Sequence, residues 1–204
     1  MQRLGIVWEW ELPRLSIEQI RRKELSEAAY EALQIWGLPG TTLVRVAAKA
    51  GVSKGIVLHY FRNKEELIEA AMRRANAALR DEVVRRLARA HSPRERLDAI
   101  IEGNFDEHFF VPQITHAWLS FCGEVPRNPQ FARLQRAIHA RMHSNLMSAL
   151  RHLLPPPQAE EAARAISIMI DGLWLRHGLV QGGIDRAGAL KHMRALVDSL
   201  LKSP

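Results

Sequence analysis

The sequence has only one cysteine, Cys122, among its 204 residues. A single cysteine excludes an internal disulfide framework and a multi-cysteine metal site, and it fits a reducing compartment. The chain also lacks an uninterrupted apolar run of about 18 residues, which a membrane-spanning helix requires. Its first apolar run is short and is broken by Glu9 and Glu11, unlike a signal peptide. We therefore expect a cytoplasmic protein without a membrane segment.

Charge of one sign is in only modest excess. The formal net charge is +7, and 47% of the residues are hydrophobic while 25% are charged. That composition is typical of a globular protein. The positive charge is spread thinly along the chain, so it permits a polyanionic partner such as nucleic acid but does not establish one.

Signals for β-hairpins and internal repeats are also absent, whereas apolar residues recur at helical spacing between prolines and glycines. Gly37 and Gly51 mark turns, and Thr42, Ser53 and Asn63 are suitable helix caps. The pattern predicts an all-α fold of nine helices, at about residues 16–36, 43–50, 54–61, 64–90, 93–109, 112–124, 128–154, 158–180 and 185–202.

The helices change character near residue 62, because two of the first three are very short and the later ones are long. We expect an N-terminal extension over residues 1–12 and a helix-turn-helix domain over 13–62. Residues 63–204 then form a second helical domain. The fourth helix follows directly, so it should couple the two domains mechanically.

The segment from Thr42 to Phe61 predicts the helix-turn-helix. Two short helices flank Gly51, which can adopt the positive φ of the turn, and Val46 and Ala47 are small enough for a close helix crossing. A two-turn helix is not stable alone, so one of its faces must pack. The opposite face is then free to enter a DNA groove.

Many spaced residues of this segment resemble the DNA-binding domain of the TetR family of transcriptional repressors. They are Thr42, Val46-Ala47, Ala50-Gly51-Val52-Ser53, Gly55, Tyr60-Phe61 and Lys64-Glu65-Glu66-Leu67. The resemblance implies that the third helix reads the major groove, and a twofold homodimer would read a palindromic operator. It places Lys54, Gly55, Ile56 and Leu58 at base edges, and Thr42, Ser53, His59, Tyr60 and Lys64 at phosphates or sugars. Leu58 stands where many members carry tyrosine.

In the second domain, helical spacing collects aromatic and polar side chains. Asn104 falls on the apolar face of the fifth helix, flanked by Phe105 and Glu107. Trp118 and Phe121 share a face of the sixth helix, and Asp171 and Trp174 share a face of the eighth. Aromatic rings together with a carboxylate suit a cationic ligand. Ordinary core packing of the tryptophans is the competing interpretation.

Three segments, Asn104 to Glu107, Ala117 to Phe121 and Ile170 to Arg176, resemble the choline-responsive repressors of the BetI type. The resemblance implies repression of genes for choline uptake and glycine betaine synthesis, with choline as the inducer. A TetR-like repressor that responds to another cationic or hydrophobic small molecule remains the alternative.

Other functions are less well supported by the residues. His139 and His143 have metal-compatible spacing but lack a third ligand, and no nucleophile–base set is recognisable. We therefore expect no metal, no cofactor and no enzymatic activity. Apolar stripes on the last two helices predict a dimer interface formed as a four-helix bundle, with packing inside one chain as the alternative.

Overall fold

The computed structural model describes residues 16–179 and 183–202. Within these ranges the chain forms nine helices and no strand, so the predicted all-α fold is confirmed. They are α1 (Ile17–Gly40), α2 (Leu43–Lys49), α3 (Lys54–Tyr60), α4 (Lys64–Leu87), α5 (Pro93–Asn104), α6 (Pro112–Cys122), α7 (Pro129–Leu150), α8 (Pro156–Leu179) and α9 (Arg186–Lys202). The predicted N-terminal extension, residues 1–12, lies outside the described residues.

Short polar side chains determine where most helices begin. In each case a side-chain oxygen accepts a hydrogen bond from a backbone N–H two or three residues later, in the first helical turn. These N–H groups have no partner inside the helix, so a local acceptor places the boundary. The capping residues are Ser16, Thr42, Ser53, Asn63, Ser92 and Asn128.

Two glycines adopt positive φ in the N-terminal part of the chain. Gly37, with φ of 60°, interrupts α1, and its carbonyl accepts hydrogen bonds from the backbone N–H and hydroxyl of Thr41. Gly51, with φ of 67°, forms the turn between α2 and α3. This conformation is strained for a residue with a Cβ, which explains glycine at both turns.

Two clusters of buried apolar side chains meet at α6. The N-terminal core joins α1, α2, α3 and the first part of α4 to α6 and the start of α7. The C-terminal core joins the end of α4 to α5, α7, α8 and α9. Phe121 belongs to the N-terminal core, whereas Trp118 packs against both cores. Helix α6 is therefore the element that connects them.

Helix α5 ends earlier than predicted, at Asn104 instead of residue 109. The Asp106 carboxylate turns toward Arg86 of α4, with 2.6 Å between oxygen and nitrogen, and also accepts the backbone N–H of His108. Two distant donors bond to carbonyls at the helix end: the indole of Trp174 to Asn104 and the guanidinium of Arg186 to Phe105. These tertiary contacts satisfy groups that another helical turn would otherwise bond.

Helices α8 and α9 differ in where their apolar residues lie. Leu190, Met193 and Val197 of α9 are buried in the core of the same chain. On α8, Ile168 and Leu179 remain 65% and 67% exposed and share one face, which leaves an apolar surface on this helix. None of the helices described is long and apolar enough to cross a membrane.

Candidate functional site

The helix-turn-helix presents one exposed face of α3. Val57 is the only fully buried residue of this helix, and it packs with Val46 and Ala47 of α2. Lys54, Gly55 and His59 are exposed, and Ile56 and Leu58 each keep 42% of their surface exposed. A helix anchored on one side leaves the opposite side free for a groove in DNA.

Several residues predicted to contact bases or phosphates still have donor groups available for DNA. Lys54 makes no hydrogen bond or ion pair with any residue that the structure describes. Thr42 and Ser53 cap α2 and α3 by accepting backbone N–H groups, so each hydroxyl hydrogen is still available for donation. The face thus carries a cation, hydroxyl donors and apolar side chains, the chemistry that contacts phosphates and bases.

Tyr60 and Lys64 are held more firmly than the sequence pattern indicates. Tyr60 is half-buried, and its backbone carbonyl accepts a hydrogen bond from Arg22 of α1. The Lys64 ammonium donates to the carbonyl of Leu38 over 2.6 Å. Partial burial lowers the pKa of Lys64. Lys64 therefore has a structural role in addition to its predicted phosphate contact.

A cavity lies in the second part of the chain, between α4, α5, α6, α7 and α8. The space that it encloses, including the opening to solvent, is about 590 Å³. Four of the seven predicted ligand residues line it, namely Asn104, Trp118, Asp171 and Trp174. The other lining residues are Asn76, Leu79, Val83, Ile138, Arg141, Met142, Asn145 and Ile170.

Two indole rings form the aromatic part of the cavity wall. The ring centroids of Trp118 and Trp174 are 5.9 Å apart and their planes are inclined by 62°. The indole N–H of Trp174 donates to the Asn104 carbonyl over 3.1 Å, and the rings of Phe110 and Trp174 pack in a T-shaped arrangement. These contacts hold Trp174 in a fixed orientation, so its electron-rich surface is preformed.

Asp171 supplies a negative charge to the cavity. Its carboxylate lies 3.5 Å from Nε2 of His139, and this hydrogen bond raises the pKa of His139. Burial, with a smaller contribution from Asp171, raises the pKa of the Cys122 thiol to about 12. Cys122 is therefore an unreactive neutral thiol near neutral pH.

Asparagine side chains add hydrogen-bond acceptors. Asn76 and Asn104 each donate their amide N–H to the backbone carbonyl four residues earlier, on Met72 and Ile100. Both donations fix the orientation of the amide, and the amide oxygens remain available as acceptors in the cavity.

Three residues predicted to bind the ligand do not line the cavity. Phe105 is fully buried in the C-terminal core, and Glu107 is exposed. Their placement beside Asn104 assumed a helix that continues past that residue, but α5 ends there. Phe121 is fully buried in the N-terminal core, because α6 lies between α1 and α8 and its Trp118 and Phe121 contact different neighbours.

The sequence pattern did not single out the contributions of α4 and α7. Asn76, Leu79 and Val83 follow helical spacing on α4, and so do Ile138, Arg141 and Asn145 on α7. The sequence did hold a signal for them: Asn76 on α4 and Arg141 and Asn145 on α7 interrupt an otherwise apolar helical stripe, as Asn104 does on α5. His139 and His143 pair with separate carboxylates, those of Asp171 and Glu160.

Comparison with known proteins matches both parts of the chain. Residues 25–71 match the family described as bacterial regulatory proteins, tetR family. Residues 93–202 match the family described as BetI-type transcriptional repressor, C-terminal. The HTH-type transcriptional regulator BetI 1 of Chromohalobacter salexigens is 43% identical over 175 residues, covering 85% of this chain and 87% of that protein.

Solved structures share the fold. A transcriptional regulator from Pseudomonas aeruginosa PAO1 has a TM-score of 0.75 and 30% identity, covering 92% of this chain and 93% of that one. A regulator from Saccharomonospora viridis, solved in complex with choline, has a TM-score of 0.77. It covers 87% of this chain and 95% of that chain, and its 21% identity makes it evidence for the fold alone.

Proposed function

Because the chain belongs to the TetR family of bacterial regulatory proteins and has a BetI-type C-terminal domain, we propose that it represses genes for choline uptake and glycine betaine synthesis and is released from DNA by choline. It is a transcriptional regulator and not an enzyme. The observation that carries the choline assignment is the cavity in which Asp171 lies with the indole rings of Trp118 and Trp174.

A quaternary ammonium has no N–H to donate, so a site must hold it by charge and by aromatic surfaces. The inclined rings of Trp118 and Trp174 offer two such surfaces, each worth about 0.5–2 kcal/mol when desolvated. Asp171 supplies the opposite charge, and the amide oxygens of Asn76 and Asn104 can accept the hydroxyl hydrogen of choline. The Saccharomonospora viridis regulator, which shares this fold, was solved with choline, so a protein of this fold can bind that ligand.

On the DNA side, TetR-family regulators bind operators, usually as dimers. We infer a homodimer through α8 and α9, supported by the exposed apolar face of α8 that carries Ile168 and Leu179. A twofold axis would place the two α3 helices about 34–36 Å apart, or a longer helical multiple, on a palindromic operator. Lys54 would then donate to a guanine edge, and Thr42, Ser53 and Lys64 would donate to the phosphates of the DNA backbone.

Release requires that choline binds the conformation unsuited to DNA more tightly than the DNA-binding one. A coupling free energy of about 1–3 kcal/mol is typical of allosteric proteins. Helix α6 connects the two functions, since Trp118 lines the cavity while Phe121 packs in the N-terminal core, which also holds Val57 of α3. A ligand that moves Trp118 would therefore also move α1.

The test is fluorescence-anisotropy titration of a fragment of the protein's own promoter, with and without saturating choline. We expect choline to weaken binding about fivefold or more. Asp171→Asn should reduce choline affinity while leaving DNA affinity unchanged. Glu160→Gln, on the same helix but outside the cavity, is the matched control. DNA affinity that stays the same at saturating choline would reject choline as the inducer.

A repressor for another cationic or hydrophobic small molecule is the second candidate. The apolar part of the lining, with Leu79, Val83 and Met142, favours it, because such side chains also accept bulkier hydrocarbon groups. Thermal-shift screening separates the two candidates. Choline should raise the melting temperature more than betaine aldehyde or hydrophobic dyes do; the reverse order would support the alternative.

A further inference from the structure

Arg141 is a positive charge in the wall of the cavity without a counter-ion among the residues that the structure describes. It projects from α7 on the face that also carries Ile138 and Asn145. Its side chain is half-buried, yet no carboxylate lies within 4 Å of its guanidinium in residues 16–179 and 183–202. Burial lowers the pKa of Arg141, and the neighbouring Arg80 lowers it further.

Another half-buried arginine, Arg86, is neutralised by carboxylates of this chain. The Arg86 guanidinium bonds to the carboxylates of Glu82, Glu102 and Asp106, with distances of 2.6 to 3.3 Å. This fold therefore neutralises a partly buried arginine where its role is structural. Near Arg141, the charge of Asp81 is already engaged by Arg80 over 2.7 Å. Across the cavity, Asp171 pairs with His139.

A partly desolvated charge without a partner costs free energy, which a bound anion would recover. The guanidinium also presents planar paired donors that fit a carboxylate in a bidentate arrangement. The cavity thus has a positive side at Arg141, a negative side at Asp171 and an aromatic wall. A ligand that satisfies all three has a cation and an anion in one small molecule.

We propose that Arg141 is a specificity-determining residue that binds the oxygen-bearing end of the ligand, and that the cavity accepts a zwitterion with a quaternary ammonium at one end and a carboxylate at the other. This inference rests on the proposed function, because it uses the same aromatic and Asp171 subsite for the cation. It adds that such a zwitterion competes with choline for one cavity.

The test measures dissociation constants by isothermal titration calorimetry for three probes: tetramethylammonium, choline and glycine betaine. All three carry the same cation, and they differ only in having no oxygen, a hydroxyl or a carboxylate. We expect Arg141→Gln to weaken glycine betaine about tenfold or more, the usual size of a lost charge-assisted bond. The same substitution should leave the affinity for tetramethylammonium unchanged or increase it, because it removes a charge of the same sign as the probe.

Two further variants separate recognition from structure. Arg141→Lys keeps the charge and should retain most of the affinity for glycine betaine. Arg136→Gln, at an exposed position on the same helix, should change none of the three constants. Without ligand, Arg141→Gln should not lower the melting temperature, whereas loss of a structural arginine would lower it.

The outcomes distinguish the two proposals. If none of the three probes binds, the cation site of the proposed function is wrong. If choline and tetramethylammonium bind but glycine betaine does not, the zwitterion inference alone fails. It also fails if Arg141→Gln leaves the affinity for glycine betaine unchanged.

Discussion

The side-chain hydroxyl of Ser120 accepts a hydrogen bond from the backbone N–H of Leu38, with 2.6 Å between the two atoms. Ser120 lies in α6, two residues after the cavity residue Trp118. The carbonyl of Leu38 accepts the Lys64 ammonium at the start of α4. The last residues of α1, after its interruption at Gly37, are thus held by α6 on one side and by α4 on the other. Displacement of α6 by a ligand would reach the helix-turn-helix through this segment.

Ser120→Ala should uncouple ligand binding from DNA release. The substitution leaves the N–H of Leu38 without its partner, at a cost of about 1–3 kcal/mol, but removes no group from the cavity. We expect choline affinity to change less than twofold while the effect of choline on operator affinity shrinks. Calorimetry measures the choline affinity, and fluorescence anisotropy with and without choline measures the operator affinity. Ser144→Ala, at an exposed position on α7, is the control, and equal coupling in both variants would count against the role of Ser120.

Gly51→Ala should destabilise the protein for a purely conformational reason. A Cβ built at Gly51 meets no atom within 4 Å, so the whole cost comes from the φ of 67°. We expect a loss of about 1–2 kcal/mol in the free energy of unfolding, measured in urea. Gly55→Ala is the matched control, because Gly55 lies in helix α3 and its added Cβ makes only an ordinary contact. That control should be neutral or stabilising by up to about 1 kcal/mol.

Asp106 should contribute stability that is lost in acid. Burial alone would raise the pKa of its carboxyl, but hydrogen bonds from His108 and Arg86 outweigh burial and lower the pKa to about 2. A lowered pKa stabilises the folded state above the ordinary value of 3.8, and this stability disappears as the pH falls from about 4 to 2. The contribution near pH 7 is about 2 kcal/mol.

Asp106→Asn should therefore lower the free energy of unfolding at pH 7 by about that amount. The difference between the variant and the wild type should narrow below pH 4. Urea unfolding at pH 7 and at a pH below 4 measures the free energy of unfolding of both proteins. Asp81→Asn, at an exposed carboxylate, should show neither effect, and a constant difference at both pH values would contradict the assignment.

Cation binding in the cavity should weaken as the pH falls. The hydrogen bond that His139 donates to Asp171 raises the pKa of His139 above 6.5, so His139 becomes an imidazolium below that raised value and neutralises Asp171. The other titratable groups near this pair do not change protonation state near neutral pH. Cys122 stays a neutral thiol, and Arg141 stays positively charged.

We expect the affinity for tetramethylammonium to be several-fold higher at pH 8.5 than at pH 6, by calorimetry. His139→Gln should abolish this pH dependence and keep the affinity near the high-pH value. His143→Gln is the control, because His143 pairs with Glu160 instead. Persistence of the full pH dependence in His139→Gln would assign it to another group.

Lys54 and Lys64 should affect DNA binding differently. Lys54 is exposed, and its substitution by alanine should cost about 1–3 kcal/mol for the operator and less for random DNA, because it removes a base contact. Lys64→Ala should weaken binding to the operator and to random DNA about equally. Because the Lys64 ammonium also bonds to Leu38, this variant should melt at a lower temperature as well. Equal losses of operator and random DNA binding from both substitutions would overturn these roles.

Local features of the fold were readable from the sequence because their causes lie within a few residues. The caps Thr42, Ser53 and Asn63 each bond to the N–H group three residues later, and a positive φ at Gly51 concerns one residue. The helix-turn-helix and the helical character of the chain depend on such short-range rules. The placement of Asn104, Trp118, Asp171 and Trp174 around one cavity also followed from helical faces.

The sequence alone thus determined the all-α class, the helix-turn-helix and four of the twelve residues that line the cavity. Only the tertiary structure decided that α5 stops at Asn104, where Asp106 meets an arginine 20 residues earlier in the chain. It also separated Trp118 from Phe121 and brought Arg141 into the cavity wall. These features depend on which helices pack together, and the free energy of that packing comes from contacts between residues far apart in sequence, which periodicity within one helix does not encode.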